Sequence, residues 1–269
     1  MTRRLTAASV HCNQLDPRDA DVALAGPIVA AVNIPLSEIA GRTHELPPRD
    51  EMIDVVGPAD VAAQAVTWLS DNGRRGRSVE RFDFAEANAE AVTWRLWRPN
   101  PWLEQILPEF EPGRALDLGC GMGREAVHMA SLGWGVTAID RLPDALERAG
   151  GLEARYGVER SAIEWIEGDL ESGDPPIRGT FELIVGFRFL HRPLFARLRE
   201  WLRPGGHLVY ETFTTLHRTR NARPSREAFL LQPGELATLV GGLIIRRHEE
   251  SWAANAHTAR IWATAPGGG

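Results

Sequence analysis

The chain is poor in the residues that would staple it or anchor it to a bilayer. Only two cysteines, Cys12 and Cys120, occur in 269 residues, and they stand far apart. That argues against a disulfide framework or a cysteine zinc site and suits a reducing cytoplasm. No metal site is expected. No apolar run approaches the roughly 20 residues needed to span a bilayer, and the N-terminus shows no signal-peptide core. Positive charge is also short: 30 basic residues face 36 acidic ones, for a net charge of −6. A broad electropositive footprint for nucleic acid is therefore not expected. What is present is 43% hydrophobic residues, enough to bury a core, in a length that suits one large domain or two modest ones.

The most informative stretch is Ala115-Leu116-Asp117-Leu118-Gly119-Cys120-Gly121-Met122-Gly123-Arg124. A short apolar run ends in three glycines at alternate positions, and an amphipathic helical pattern follows. A second apolar run, Gly135 to Ile139, stops at Asp140. Glycines let such a loop turn sharply and let its backbone approach a ligand, and the acid after the next strand can accept hydrogen bonds from a ribose diol. The nicotinamide fingerprint would place its third glycine where Arg124 stands. Asp117, inside the motif, suits a cationic ligand better than a diphosphate.

From Arg114 onward, strand and helix patterns alternate, which predicts a doubly wound α/β sheet. Strands are expected near 114–118, 135–140, 163–166, 181–187, 206–213, 242–250 and 258–264, the last two as an antiparallel hairpin. A helix is expected over 193–202, opened by Pro193 and ended by Pro204-Gly205-Gly206. Upstream, 71–78 reads as a polar loop, 84–97 as helical and 102–110 as another helix.

The Asp-x-Gly-x-Gly-x-Gly loop, the acid Asp140, Glu167-Gly168-Asp169-Leu170 and Phe181 to Phe187 together resemble class I S-adenosylmethionine (SAM) methyltransferases. Leu-His-Arg-Pro-Leu-Phe from Leu190, Tyr-Glu-Thr-Phe from Tyr210 and Phe-Leu-Leu-Gln-Pro-Gly-Glu-Leu from Phe229 are similar to the tellurite-resistance methyltransferase group. The resemblance spans roughly 95–265 and implies a Rossmann-like, seven-stranded sheet with SAM as cofactor. Carried over, the cofactor residues are Asp117, Gly119, Cys120, Gly121, Gly123, Asp140, Arg141, Asp169, Leu170, Gly186 and Phe187. Asp169 and Leu170 would contact adenine, or Asp169 would cap the next segment.

Arg188, His191 and Arg192 crowd the expected methyl-transfer site. Arg188 suits an anionic acceptor, and His191 is the first candidate general base, with His217 and Glu211 next. The alternative is that His191 and Arg192 flank the following helix. Trp97 and Trp102 would either wall the site or pack in a core. Cys120 reads as a small packing residue.

The N-terminal block is similar to a rhodanese domain in Asp16-Pro17-Arg18, in Gly26 to Pro35, in Ile53 to Val56 and in the helix from Ala59 to Leu69. Sulfurtransfer needs a loop thiolate, but Gly57-Pro58-Ala59-Asp60 offers none, and Asp60 would repel a persulfide. The expected organisation is 1–80, rhodanese-like without the catalytic cysteine; 81–112, a linker with helices over the cofactor; and 113–269, the methyltransferase. The expected activity is methyl transfer to a small-molecule acceptor, a thiol or other chalcogen compound being suggested by the domain pairing. The rival is a non-catalytic SAM-binding scaffold or regulator. Neither nucleic acid nor membrane is an expected partner, and the N-terminal block could serve structure, dimerisation or substrate delivery.

Overall fold

Short apolar runs become parallel strands in both halves of the chain. The computed structural model describes residues 9–85, 92–156, 158–159, 161–172 and 174–267. The chain divides into two units, Met1–Pro99 and Asn100–Gly269.

In the first unit, β1 (Val10–His11) precedes β2 (Gln14–Asp16), α1 (Ala20–Ala25), β3 (Ala31–Asn33), β4 (Met52–Val56), α2 (Ala59–Asp71), β5 (Arg75–Val79) and β6 (Trp94–Arg95). Strands β3-β2-β4-β5 form a parallel four-stranded sheet, and β1 pairs with β6. Leu15, Ile53 and Val55 from the sheet meet Ala62, Ala65 and Leu69 of α2 in a buried core. These α2 residues recur at three- and four-residue spacing, which puts them on one helical face. Asp16 and Arg18 form a buried bidentate pair at the end of β2, at 2.8 and 2.7 Å. The helical reading of 84–97 fails at its described end. Trp94 and Arg95 are extended and pair with Val10 and His11, because tertiary pairing overrides a weak local pattern. Residues 86–91 of that stretch lie outside the described residues.

The second unit holds α3 (Pro101–Ile106), β7 (Arg114–Leu118), α4 (Arg124–Ser131), β8 (Gly135–Asp140), α5 (Pro143–Arg155), β9 (Ile163–Glu167), β10 (Phe181–Phe187), α6 (Phe195–Trp201), β11 (Leu202–Phe213), α7 (Glu235–Leu239), β12 (Ile244–Ala253) and β13 (Ala256–Thr264). The sheet order is β12-β13-β11-β10-β7-β8-β9. All neighbours are parallel except β13, which is antiparallel to both β11 and β12. The central strands are covered on both faces, so they read as unbroken apolar runs rather than alternating ones. Leu116, Leu118, Ile184 and Leu208 are fully buried between α6-side residues such as Leu198 and Trp201 and the other face. Each such side chain contributes about 1.5–3 kcal/mol of burial. The outer strand β12 is guarded instead by charge, with Arg246, Arg247, Glu249 and Glu250 along an exposed edge.

The stretch 71–78, read as a polar loop, is strand β5 from Arg75, paired in parallel with β4. Two boundaries around α6 also differ from the sequence reading. Helix α6 ends at Trp201, preceded by a 3-10 turn over Arg192–Leu194. The following strand starts at Leu202, ahead of Pro204-Gly205-Gly206. Leu202 already pairs with Phe181, and the register then jumps so that Leu183 faces His207. The Pro-Gly-Gly segment is absorbed as an irregularity within the strand instead of breaking it.

Candidate active site

The glycine loop joins β7 to α4, and Gly119, Gly121 and Gly123 all adopt left-handed backbone, with φ of 68°, 52° and 79°. Side-chain-bearing residues avoid this region, so the alternate glycines are a backbone requirement. They differ in what surrounds them. A Cβ on Gly123 would lie 2.5 Å from the Trp165 ring and 2.8 Å from Ala149. A Cβ on Gly121 would meet nothing within 4 Å. Gly123 is thus small for helix packing, while Gly121 bares its backbone to open space. The amide of Gly121 donates to Asp140 Oδ2 at 2.8 Å, and the amide of Leu142 donates to Asp140 Oδ1 at 3.0 Å. Asp140 is therefore oriented by backbone at the tip of β8.

Asp117 is buried on β7, and its Oδ2 has no hydrogen-bond partner among the described residues. Burial, then the charges of Glu125 and Asp140, push its carboxyl well above the ordinary range. A cation placed beside these acids would relieve that stress. The same burial and charges raise the Cys120 thiol and keep it protonated, so it packs and does not attack.

A cavity of about 330 Å³ opens across the carboxyl ends of the strands, where open α/β sheets bind ligands. One half lies over β7, β8 and β9 and is lined by Gly119, Asp140, Arg141, Gly168, Asp169 and Leu170, with Leu142 and Glu171 beside them. The other half lies over β10 and β11 and is lined by Arg188, Phe189, Leu190 and Phe213, with Pro224 and Phe229 from the chain beyond β11. Asp169 faces the cavity, and its Oδ1 accepts from the Glu171 amide at 2.9 Å, as the capping alternative expects. Arg141 sits 3.8 Å from Glu171.

The cavity brings together Gly119, Asp140, Arg141, Asp169, Leu170 and Arg188 from the residues expected at the site. Asp117 and Gly121 do not line it, and the Gly121 amide is tied to the lining through Asp140. Gly186 and Phe187 do not line it. A Cβ on Gly186 would lie 2.4 Å from the Tyr210 ring, so that glycine makes room for Tyr210, whose hydroxyl donates to Phe189 O at 2.7 Å. His191 is likewise outside the lining; its carbonyl accepts from the Leu194 amide at 3.1 Å as the following turn begins. Arg192 is committed elsewhere, to both carboxylate oxygens of Glu235 and to the carbonyls of Ala228 and Leu230.

The two reserve bases are also engaged. Glu211 accepts from Asn100 Nδ2 at 3.0 Å and from the Thr258 hydroxyl at 2.8 Å. His217 is buried between Phe213 and Trp252. Trp102 does not line the cavity; it lies between the guanidinium groups of Arg247 and Arg260, each 4.6 Å from the ring centre. Trp97 belongs to the first unit, where Arg95 sits over its ring at 5.2 Å. Sequence reasoning missed Leu142, Gly168, Glu171 and Phe189 as lining residues. Their one signal is adjacency to residues already placed at strand ends.

Residues 115–206 match the family model described as a methyltransferase domain. The ribosomal protein L11 methyltransferase of Ralstonia nicotianae is 41% identical over 113 residues, which cover 40% of this chain and 34% of that protein. A probable thiol methyltransferase 2 of Arabidopsis thaliana is 30% identical over 132 residues, covering 45% and 56%. The match thus spans about a third to about half the length of these relatives. Among solved structures, TehB of Haemophilus influenzae superposes with a TM-score of 0.51 at 18% identity over 66% of this chain and 64% of that one. The N-methyltransferase NodS of Bradyrhizobium japonicum, in complex with S-adenosyl-L-homocysteine, gives 0.50 at 22% identity over 61% and 84%. Residues 115–206 are thus similar to a methyltransferase domain, and the seven-stranded unit that contains them shares the fold of these solved methyltransferases.

Proposed function

We propose that this chain transfers the methyl group of SAM to a small-molecule acceptor. The observation that carries the reading is Asp117: a buried, unpartnered carboxylate oxygen beside Glu125 and Asp140, at the root of a glycine loop that ends in open space. This donor set fits a cationic nucleoside and not a diphosphate.

In the proposed arrangement Asp140 accepts from the ribose, with two of its lone pairs already fixed by Gly121 and Leu142. Asp169 and Leu170 receive the adenine. Asp117 and Glu125 supply the negative field for the amino and sulfonium end. The bound cofactor supplies an already activated methyl group, so the chain's task is to align the acceptor and exclude water. Arg188 is the acceptor-side cation. His191 carries a catalytic role only if side-chain motion brings it to the cavity. The acceptor is proposed to be a thiol or other chalcogen compound, a reading that the likeness to a thiol methyltransferase supports.

The first unit is proposed to be rhodanese-like without sulfurtransferase activity. Its support is the sequence β4, Gly57-Pro58, α2, in which no cysteine stands in the loop, together with the Asp16–Arg18 pair beside it. Its part would be structural, in dimerisation or in substrate delivery, and the setting cytoplasmic. No helix among the described residues is long and apolar enough to cross a membrane.

Calorimetric titration with SAM and S-adenosyl-L-homocysteine tests the first step. Both should bind, and Asp140→Ala should weaken both by about tenfold or more, the scale of a lost charge-assisted hydrogen bond. Absence of binding in the wild type would refute the reading. Binding without product release across a panel of thiols, selenite and tellurite would favour the non-catalytic scaffold.

A further inference from the structure

The two halves of the cavity differ in proton chemistry. Every carboxylate that lines it, Asp140, Asp169 and Glu171, belongs to the half over β7, β8 and β9. The half over β10 and β11 is made by Arg188, Phe189, Leu190, Phe213, Pro224 and Phe229. None of these six side chains can accept a proton. The chain contains no lysine at all, so its 30 basic residues are all arginines. Its two tyrosines do not help: Tyr156 is buried on α5's C-terminal side, and Tyr210 is buried with its hydroxyl donated to Phe189 O. His217 is held by backbone partners and Glu211 by Asn100 and Thr258.

The same half is apolar, with one charge. Phe189, Phe213 and Phe229 are only half-buried, and all three face the cavity. Arg188 is exposed at its rim and has no ion-pair partner among the described residues. Its backbone is fixed in left-handed conformation, φ 58°, by donation from its amide to Glu211 O at 2.9 Å. A non-glycine residue held in this region is strained, and strain of this kind accompanies functional placement of a side chain.

We infer that the acceptor is an organic anion with a flat apolar body, a thiolate or carboxylate, that enters the site already ionised. The inference rests on the methyl-transfer reading above. The balance of the step agrees with it. A lone pair on the acceptor's sulfur or oxygen forms the new bond to the methyl carbon. The carbon–sulfur bond of the sulfonium breaks, and its electron pair stays on that sulfur. The acceptor's negative charge and the sulfonium's positive charge vanish together, and no proton is released. An alcohol or amine acceptor would release one proton, and no side chain that lines this half of the cavity takes it. A small hydrated oxyanion would leave three phenyl faces against water, which wastes their apolar area.

The test is binding to the full chain, with and without S-adenosyl-L-homocysteine, of four probes of one shape: benzoate, thiophenolate, benzyl alcohol and benzylamine. The two anions should bind at least about tenfold more tightly than the alcohol and the amine. Arg188→Met should erase that preference while leaving affinity for S-adenosyl-L-homocysteine unchanged. Equal binding of the four probes, preference for the amine, retained preference in Arg188→Met, or binding of selenite but of neither aromatic anion would each overturn the inference. Failure of the wild type to bind S-adenosyl-L-homocysteine would instead strike the methyl-transfer reading, and the anion preference would still be read from the arm without it.

Discussion

The Nε2–H of His217 donates to the carbonyl oxygen of Arg223 at 3.0 Å. The other ring nitrogen, Nδ1, accepts from the His257 amide at 3.2 Å. An amide can only donate and a carbonyl can only accept, so these partners fix the neutral Nε2–H tautomer. Asn221 adds to the anchor, its side-chain amide donating to Asn255 O at 2.8 Å. Pro224, which lines the cavity, follows directly after Arg223. His217 is thus a positioning residue for the near end of a strap over the acceptor half.

Replacing it should loosen that strap. His217→Ala leaves the His257 amide and the Arg223 carbonyl short of a partner, at a cost of about 1–3 kcal/mol in stability. Amide exchange over 219–226 should quicken beyond what global destabilisation explains. Affinity for S-adenosyl-L-homocysteine should change less than affinity for acceptor-side anions. His217→Gln keeps one donor and one acceptor and should restore most of the protection. Equal exchange in the alanine variant and the wild type would remove the positioning role.

The far end of the strap is held by Arg192. Its Nε and one terminal nitrogen reach the two Glu235 oxygens at 2.5 and 2.9 Å, and the guanidinium also donates to Ala228 O and Leu230 O, on either side of Phe229. The hydrogen bond from Arg192 holds the Glu235 carboxyl below its usual value of 4.5, against the opposing effect of burial. A depressed folded value means stability that is present above the unfolded value and lost as pH falls through the folded one. The contribution should therefore be constant above about pH 5 and fade below about pH 4.5. Both side chains are partly exposed, so about 1 kcal/mol is expected. In Glu235→Gln, urea midpoints should drop at pH 7 and converge on the wild type at low pH. A difference that is independent of pH would show that the ion pair is not the source.

The loop glycines separate packing from binding. Gly123→Ala drives a methyl into Trp165 and Ala149 at a left-handed position, so it should destabilise the fold by about 2 kcal/mol or more. Gly121→Ala carries only the backbone strain, about 1–2 kcal/mol, since its Cβ meets nothing. It should nevertheless weaken cofactor binding more than Gly123→Ala does once folding is accounted for. Thermal melts and calorimetry on the two variants compare these effects, and a Gly121→Ala protein with wild-type affinity would rule out close approach of a ligand at that amide.

The parallel core was legible because strands buried on both faces carry a strong apolar signature. Leu116, Ile139, Ile184 and Leu208 announce their strands without help from distant residues. The glycine loop, Asp140 and Asp169 were legible for the same kind of reason: backbone geometry at strand ends demands particular residue types. The acceptor half was legible only in part: Arg188 lines the cavity as expected, but for its neighbours proximity in sequence did not predict proximity in space. Arg188 and Arg192 are four residues apart, yet one rims the cavity and the other grips Glu235, 43 residues away. The alternation of roles reflects the turn after β10, which points neighbouring side chains in different directions. Phe229 is held at the cavity by long-range partners, the grip of Arg192 on its flanking carbonyls and the bridge of Leu231 to Thr214. Trp94 and Arg95 were misread because their conformation is set by pairing with β1, more than 80 residues earlier.

Asp117 gives the most direct link between stability and binding. Burial and the nearby charges of Glu125 and Asp140 raise its carboxyl well above its ordinary value. A raised folded value means that this group favours the folded state below the unfolded value and that the favour is lost as pH rises through the folded one. At neutral pH its ionisation opposes folding of the ligand-free chain. Asp117→Asn, which keeps the shape and removes the charge, should therefore raise the thermal midpoint at pH 7 and make it less dependent on pH. The same change should weaken SAM binding by about tenfold, the scale of a lost charge-assisted contact. A bound cation favours the ionised carboxylate, so SAM binding to the wild type should tighten as pH rises through the folded value, with release of a proton. Calorimetry in buffers of different ionisation enthalpy reads that proton directly. A variant that is less stable than the wild type and binds SAM equally well would show Asp117 to be a structural acid with no stake in the cofactor.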